Sequence, residues 1–146
     1  MSDKMKKVML LGKQGAGKTT LIQRLNGEEL VYRKTQSLVY YDNFLDSPGE
    51  YIENKRLLNS ILVSSVDYDV IALLQQSDDL QSLFPPFFSS MFQKPTIGIV
   101  TKTDLPDADV SNVEELLEAA GAEKVFLCSA YTGEGIDDID QYISYR

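Results

Sequence analysis

Short apolar runs alternate with segments of helical periodicity along this 146-residue chain. Runs of four or five apolar residues are typical of buried strands, and apolar residues spaced three and four apart are typical of helices. Each helical segment is short, as expected of a compact α/β domain. The predicted strands are residues 8–11, 38–45, 70–74, 96–100 and 125–128, and the predicted helices are residues 18–26, 54–66, 111–120 and 135–144.

Strands that alternate with helices through short connections predict a parallel sheet covered by helices on both faces. We therefore predict a single domain, residues 1–146, with three layers and a five-stranded parallel sheet. Only ten residues lie between Thr35 and Asp46, whereas a hairpin of two average strands and a two-residue turn needs about twelve to fourteen. We expect no antiparallel edge strand.

The third predicted helix has a signal at each end. Ser111 and Glu114 have the spacing of a capping box, in which each side chain bonds the other residue's backbone N–H. Gly121 follows the last apolar position and suits the left-handed residue that ends many helices. We therefore expect the helix to begin beside Ser111 and to end at Gly121.

The first strand runs into the sequence GKQGAGKT, which fits the phosphate-binding pattern G-x-x-x-x-G-K-[ST]. In this loop glycines turn backbone N–H groups toward phosphate oxygens, the lysine reaches the outer phosphates, and the hydroxyl binds Mg²⁺. Lys18 is thus a catalytic as well as a binding candidate, and Thr19 is a metal ligand. The predicted nucleotide-binding residues of this loop are Gly12, Gln14, Gly15, Ala16, Gly17, Lys18, Thr19 and Thr20.

Three later loops follow predicted strands and should meet the P-loop, because ligands of such sheets bind at the carboxyl ends of the strands. In Asp46-Ser47-Pro48-Gly49, the carboxylate can hold Mg²⁺ through water and the glycine N–H can approach a terminal phosphate. In Thr101-Lys102-Thr103-Asp104, the carboxylate can accept from guanine N1–H and its 2-amino group, which adenine cannot match. After the last strand, Ser129, Ala130 and Tyr131 are the remaining base-loop candidates, with the Ala130 N–H directed at guanine O6.

Charge and composition narrow the partners. The net charge is -8, yet residues 1–34 hold eight Lys/Arg against three acids. This basic region suits a small anionic ligand, whereas the acidic remainder argues against nucleic acid. No 18-residue apolar run or signal-peptide pattern occurs, so we expect a cytoplasmic protein without a membrane partner. The single cysteine, Cys128, cannot form an intrachain disulfide and is interpreted as a buried strand thiol.

With these motifs in order, the chain resembles a small G domain of the translation-factor-related P-loop GTPases, the TrmE-Era-Septin-like group. The matching sequences are GKQGAGKT, DSPG, TKTD and SAY. The resemblance implies that Thr35 is the mobile-loop threonine that binds Mg²⁺ and the γ-phosphate and takes part in catalysis. Thr101 replaces the more frequent asparagine of the N-K-x-D signature. Mg²⁺ and GTP or GDP are the implied cofactors, with ATP as an alternative nucleotide.

More closely, the runs ELVYRKTQ, YYDNFLDSPGEYIEN and FPPFFSSMFQKPTIGIVTKTDL resemble the EutP/PduV family. That resemblance implies a role in bacterial ethanolamine or propanediol utilisation and association with microcompartments. Proteins of this family are described both as GTPase-like and as acetate kinases. Three functions therefore stay open: a guanine-nucleotide switch with slow GTP hydrolysis, phosphotransfer to a short carboxylate with Arg33, Lys34 or Arg56 near the acceptor, and a non-catalytic microcompartment role.

Glu50 stands where many G domains place the glutamine that orients the attacking water, so slow hydrolysis is expected. Its alternatives are a base or water-orienting group, an ion-pair partner of Arg33, Lys34 or Arg56, and a solvated acid. Gln14 would crowd an arginine finger, and Gly15 replaces the asparagine of potassium-activated relatives. Neither form of activation is expected.

The segment Phe84-Pro85-Pro86-Phe87-Phe88, with Met91 and Phe92, is strongly apolar. Aromatic residues and methionine are favoured at the centres of interfaces. One interpretation is a docking patch for a shell protein, an enzyme or a second copy in a homodimer. The other is core filling beneath a loop.

Overall fold

All five predicted parallel strands belong to one central sheet. The computed structural model describes residues 5–13, 15–26, 33–35, 38–40 and 43–144. Apolar β-branched and leucine side chains fill the central strands, which are buried on both faces, as parallel sheets require. The strands are β1 (Val8–Gly12), β2 (Arg33–Thr35), β3 (Leu38–Tyr40), β4 (Phe44–Pro48), β5 (Val70–Gln76), β6 (Thr96–Thr101) and β7 (Lys124–Leu127).

The strand order in this described part is β2-β3-β4-β1-β5-β6-β7. Strands β4, β1, β5, β6 and β7 are mutually parallel, which confirms the five-stranded parallel sheet. The register pairs Gly12 with Pro48 and Leu10 with Asp46. The P-loop and the loop after β4 therefore leave neighbouring strands at the same edge of the sheet.

The prediction that no antiparallel edge strand exists is wrong. β3 pairs antiparallel with β4, and β2 pairs antiparallel with β3, where Thr35 faces Leu38. The residue count misled because β2 and β3 have only three residues each. In addition, β2 begins before Thr35, and Asp46 lies inside β4. The predicted single strand 38–45 is thus β3 followed by the first residues of β4.

Helices cover both faces of the sheet. They are α1 (Lys18–Asn26), α2 (Lys55–Ser65), α3 (Val110–Ala119) and α4 (Ile136–Ile143). Alternate residues of β1 enter opposite cores: Val8 and Leu10 pack with the side chains of α1 and α4, whereas Met9 and Leu11 pack with those of α2 and α3. No described helix is long and apolar enough to span a bilayer.

The predicted ends of α3 were half right. The N-cap is Asp109, and Ser111 lies inside the helix, so the Ser111–Glu114 capping box is not the start of α3. The N–H of Asp109 donates to Ser77 O at 2.7 Å, which fixes the chain before the first turn. The C-terminal prediction is confirmed, because Gly121 has φ 105° and its N–H donates to Glu118 O. The N–H of Ala122 also donates to Leu117 O, as in a Schellman motif.

The apolar segment between β5 and β6 divides into two parts. Phe84, Phe88 and Phe92 are buried, with ring centroids 5.4 and 5.5 Å apart in succession. Phe87 is 77% exposed and has a left-handed backbone with φ 63°, and Met91 is 40% exposed. Core filling therefore accounts for three aromatic residues of the segment, and an exposed apolar pair remains beside them.

Candidate functional site

The P-loop turns sharply between β1 and α1. Gly15 and Gly17 have φ values of 88° and 98°, which glycine adopts without steric cost. The N–H of Ala16 donates to Lys13 O at 3.0 Å, and the N–H of Leu21 donates to Gly17 O at 2.9 Å, where α1 begins. Gln14 lies outside the described residues. This strand–loop–helix geometry is the one that places backbone N–H groups around phosphate.

Lys18 is the first residue of α1 and is only 7% exposed. Its Nζ donates to the carbonyl oxygens of Gly12 and Lys13 at 2.6 and 2.9 Å. The same ammonium lies 3.6 Å from Asp46 Oδ1. The predicted phosphate-binding cation is therefore held at the mouth of the loop, beside the predicted metal-binding carboxylate.

Two oxygen donors suited to Mg²⁺ lie together at this point. Thr19 Oγ1 donates to Asp46 Oδ2 at 3.4 Å. Burial raises the pKa of the Asp46 carboxyl, and Lys18 and Thr19 oppose that rise. The described part of the chain contains no cluster of three or more Asp, Glu, His or Cys side chains that could hold a metal ion by themselves. Hydroxyl and carboxylate oxygens nevertheless fit Mg²⁺, which commonly uses one or two carboxylates and completes its shell with water and phosphate.

Gly49 packs closely against the P-loop and Leu83, with little room for a side chain. A Cβ on Gly49 would lie 3.0 Å from Gly12 O and 2.5 Å from Leu83 Cδ2. A side chain here would have to displace the end of Leu83 and would press on the P-loop backbone, so this position favours glycine. The 3₁₀-helix Gly49–Glu53 continues from this residue.

The loop after β6, residues 101–104, which we call the base loop, is hydrogen-bonded directly to the P-loop. Thr101 Oγ1 donates to Ala16 O at 2.6 Å, and both residues are buried. Lys102 has φ 58°, and its Nζ donates to Gly15 O at 2.7 Å and to Gln76 Oε1 at 2.8 Å. The aliphatic stem of Lys102 thus runs from the base loop to the phosphate loop.

Asp104 is oriented by the loop after β7. Ser129, which is fully buried, donates from its Oγ to Asp104 Oδ1 at 2.7 Å. The same Oγ accepts from the N–H of Thr132 at 3.1 Å. Because one oxygen of the exposed carboxylate is held by Ser129, the direction of the other is fixed.

The P-loop side and the loops after β6 and β7 line one pocket of about 370 Å³. Gly17 and Thr20 line it from the phosphate side, and Asp104, Ala130 and Tyr131 line it from the base side. The structure thereby brings together the loop residues that the sequence placed at separate strand ends. The complete lining is Gly17, Thr20, Leu21, Thr101, Lys102, Asp104, Leu105, Cys128, Ala130 and Tyr131.

The side chains of three predicted site residues, Gln14, Thr35 and Glu50, are not among those that the structure describes. Thr35 lies in β2, with β3 between it and β4, and Glu50 lies in the 3₁₀-helix after β4. The structure describes both through their backbones alone, and Gln14 falls outside the described residues. Their predicted roles stay predictions.

Sequence reasoning missed a polar bridge beside the P-loop. Lys13 Nζ forms an ion pair with Asp79 Oδ2 at 2.8 Å and donates to Gln81 O at 2.8 Å. Gln76 joins this region to Lys102. No motif marks Asp79 or Gln81, because both lie in the connection after β5, whose path the sequence pattern leaves undefined.

The strand order, the P-loop and its buried lysine define a P-loop NTPase fold. A solved structure supports that class: the apo form of translation elongation factor SelB from Methanococcus maripaludis superimposes with a TM-score of 0.65. The match covers 98% of this chain and 33% of that chain at 18% identity, so it concerns the fold alone.

The chain belongs to the PduV-EutP family, described as "Ethanolamine utilisation - propanediol utilisation", whose model matches residues 5–145. It is 43% identical over 143 residues to the propanediol utilization protein PduV of Citrobacter freundii, covering 97% of this chain and 95% of that protein. It is 31% identical over 143 residues to a protein of Escherichia coli strain K12 named "Probable acetate kinase EutP", covering 96% of this chain and 90% of that one. The predicted family resemblance is confirmed.

Proposed function

We propose that this chain binds guanine nucleotides with Mg²⁺ and hydrolyses GTP slowly. The observation that supports this proposal is the shared pocket, in which Gly17 of the P-loop and Asp104 of the base loop line the same space of about 370 Å³. A purine nucleotide joins those two groups, with its phosphates at the loop amides and its base at the carboxylate. The family description, "Ethanolamine utilisation - propanediol utilisation", supports a role for this activity in one of those two processes.

Selection of guanine depends on hydrogen-bond matching. The Asp104 carboxylate accepts from guanine N1–H and the 2-amino group, whereas adenine leaves those acceptors unmatched. The Lys102 stem covers one face of the base. Tyr131, which lines the pocket and is 89% exposed, stacks on the other face in this proposal. The Ala130 N–H serves guanine O6.

The phosphate end uses the groups gathered around Lys18. Lys18 and the loop amides neutralise the phosphates, Thr19 and Asp46 hold Mg²⁺, and the Gly49 N–H binds the terminal phosphate. When bound, Mg²⁺ draws negative charge from the phosphate oxygens. Thr35 closes on this end, and Glu50 replaces a neutral water-orienting side chain. A carboxylate beside the γ-phosphate opposes the approach of further negative charge, so turnover is slow.

Calorimetry with GTP, GDP, ATP and XTP in the presence of Mg²⁺ tests this proposal. Replacement of Asp104 by Asn should weaken GTP and favour XTP, because the xanthine 2-oxo group accepts where guanine donates. Asp107→Asn, an exposed change in the same loop, is the matched control. Unchanged GTP preference in Asp104→Asn, or no binding of any guanosine phosphate by the unaltered chain, would reject the assignment.

A second candidate function is phosphotransfer to a short carboxylate. The name of the Escherichia coli relative, "Probable acetate kinase EutP", supports it. In this reaction a carboxylate oxygen forms a bond to the γ-phosphorus, the bond to the β–γ bridging oxygen breaks, and an acyl phosphate and a nucleoside diphosphate result. Arg56, exposed on the first turn of α2, and Arg33 and Lys34 of β2 are the cations proposed for the acceptor.

Product analysis separates the two reactions. Inorganic phosphate and acyl phosphate are measured from the same GTP or ATP incubation, with and without acetate. Acyl phosphate formation faster than phosphate release would replace the hydrolase proposal with the phosphotransferase. Neither product, with nucleotide still bound, would favour the non-catalytic microcompartment role.

We also propose a cytoplasmic location with recruitment to microcompartments, through contact with a shell protein, an enzyme or a second copy of the chain. The family description supports the metabolic setting of this proposal. Fluorescent fusions imaged in cells with and without induced microcompartments test it. Diffuse fluorescence in both conditions would contradict recruitment.

A further inference from the structure

A second cavity, of about 270 Å³, lies against the first half of the P-loop. We call it the Lys13 cavity, and its walls include Lys13, Ala16, Gln75, Asp79, Leu83 and Phe84. It shares no lining residue with the proposed guanine pocket. The bridge from Lys13 to Asp79 and Gln81 O joins the P-loop to the segment that forms the far wall.

One wall of the Lys13 cavity contains a buried polar group with an unmet hydrogen bond. Gln75 is 4% exposed, and its Nε2 donates to Asp79 O at 2.6 Å. Its Oε1 is buried and accepts no hydrogen bond within the described part of the chain. A buried acceptor left unpaired lowers the stability of the folded chain. Less than 1 Å² of the Oε1 surface is exposed, so a ligand O–H or N–H group would supply the missing donor once the cavity wall shifts to admit it.

The charges of the lining disfavour an anion. The Lys13 ammonium is already bound by Asp79 and by a carbonyl oxygen, and Asp78 adds a second carboxylate to the wall. Lys102 Nζ, a further cation beside the wall, donates to Gly15 O and Gln76 Oε1. The ammonium groups of Lys13 and Lys102 are thus already hydrogen-bonded, so a carboxylate or phosphate would meet the two acids, whereas a neutral or amine-bearing group would not be repelled. The side chains of Leu83 and Phe84 suit a short carbon chain.

We propose that the Lys13 cavity binds a small alcohol of a few carbons, neutral or amine-bearing, through Gln75 and the neighbouring carboxylates. Leu83 connects this site to the phosphate end, because its Cδ2 lies 2.5 Å from the position of a Cβ on Gly49. Lys13 belongs to the P-loop itself. Occupation of the cavity therefore changes nucleotide affinity, and nucleotide changes the affinity for the alcohol by the same factor. This regulatory part rests on the proposed nucleotide function.

Ligand-observed and protein-observed NMR with 1,2-propanediol, ethanolamine and acetate tests the site. We expect both hydroxyl compounds to bind with dissociation constants on the order of millimolar, since such small ligands make few contacts. Acetate should bind more weakly. Gln75→Met should weaken both hydroxyl compounds by about two- to tenfold, the effect of one hydrogen bond. Gln141→Met, an exposed change on α4, is the matched control.

A second variant keeps the test decisive if Gln75→Met unfolds. Asp79→Asn preserves an acceptor for Lys13 and removes one negative charge, so ethanolamine should lose more affinity than 1,2-propanediol. Absence of binding by either hydroxyl compound, tighter binding of acetate, or equal binding by both variants and the unaltered chain would overturn the proposal.

GTP titrations of the same samples separate the two proposals. Alcohol binding without any GTP binding would reject the guanine-nucleotide function and leave the cavity assignment standing. GTP binding with no alcohol binding would reject the cavity assignment alone. Binding of both, with GTP affinity unaffected by saturating alcohol, would reject the regulatory coupling.

Discussion

The ammonium of Lys18 lies 3.6 Å from the carboxylate of Asp46, so the group assigned to the phosphates faces the group assigned to the metal. Before binding, Lys18 and Asp46 neutralise each other; on binding, each would exchange this contact for a ligand of opposite charge. Phosphates attract Lys18, and Mg²⁺ attracts Asp46. Nucleotide and metal should therefore bind together more favourably than either binds alone.

Asp46→Asn tests this relationship. Removal of the carboxylate should make GTP affinity nearly independent of Mg²⁺, with a loss of at least about tenfold in Mg²⁺-containing buffer. In Mg²⁺-free buffer the loss should vanish, because a negative charge near the phosphates has been removed. Calorimetry in the two buffers measures both values. Asp69→Asn is the control, since Asp69 accepts from the Lys7 N–H at the opposite end of β5. Equal Mg²⁺ dependence in Asp46→Asn and the unaltered chain would contradict the metal assignment.

Gly49→Ala should destabilise the domain by steric conflict. Its Cβ would meet Leu83 Cδ2 at 2.5 Å and Gly12 O at 3.0 Å. Overpacking of this kind typically costs about 1–3 kcal/mol. Leu83→Ala in the same chain should recover part of the loss, because the side-chain contact disappears while the backbone contact remains. Urea unfolding of the single and double variants measures the recovery, and strictly additive losses would show that Leu83 is not the obstacle.

Phe88→Ala and Phe87→Gly form a matched pair within the apolar segment. Phe88 is 2% exposed and packs against Phe84 and Phe92, so its truncation should cost about 3–5 kcal/mol. Phe87 is exposed with φ 63°, and glycine relieves that backbone strain. Thermal unfolding should show a large loss for Phe88→Ala and no loss for Phe87→Gly. A comparable loss in both would mean that Phe87 also contributes to the core.

Cys128 should make folding stability fall at alkaline pH. Burial, with a contribution from Glu134, raises the thiol pKa to about 12 from an ordinary 9.0. Between these values the unfolded chain ionises and the folded chain does not, so its contribution is complete below pH 9 and is lost as pH rises toward 12. The slope for one such group is about 1.4 kcal/mol per pH unit. Urea unfolding above pH 9 measures it, and Cys128→Ala should show a shallower slope. Identical slopes in Cys128→Ala and the unaltered chain would contradict the raised pKa of the buried thiol.

Much of this architecture could be predicted because local pattern and tertiary position agree. The buried runs of β1, β5 and β6 allow few alternatives, and GKQGAGKT fixes both the loop and the helix that follows. The prediction about the antiparallel edge strands was wrong because three-residue strands are shorter than average strands and carry little periodic signal. The predicted start of α3 was wrong because a tertiary contact, from the Asp109 N–H to Ser77 O, outweighs a local capping preference.

The site residues also divide into those that the sequence could predict and those that it could not. Lys18, Asp46, Asp104 and Ala130 come from strand ends, whose convergence the sheet order dictates. Lys13, Gln75 and Asp79 could not be foreseen, because their meeting depends on how the irregular connection after β5 folds back on the P-loop. The sequence put Ser129 near the site only through its position after the last strand, whereas the structure adds a direct contact, the hydrogen bond from its hydroxyl to Asp104.

The buried bond from the Thr101 hydroxyl to Ala16 O fastens the two halves of the pocket at a fixed separation. The protein therefore bears the entropic cost of aligning them during folding, before any ligand arrives. Such a pocket selects for ligand length as well as composition. Guanosine lacks the groups for one half and pyrophosphate lacks those for the other, so each fragment forgoes the advantage that a joined molecule gains.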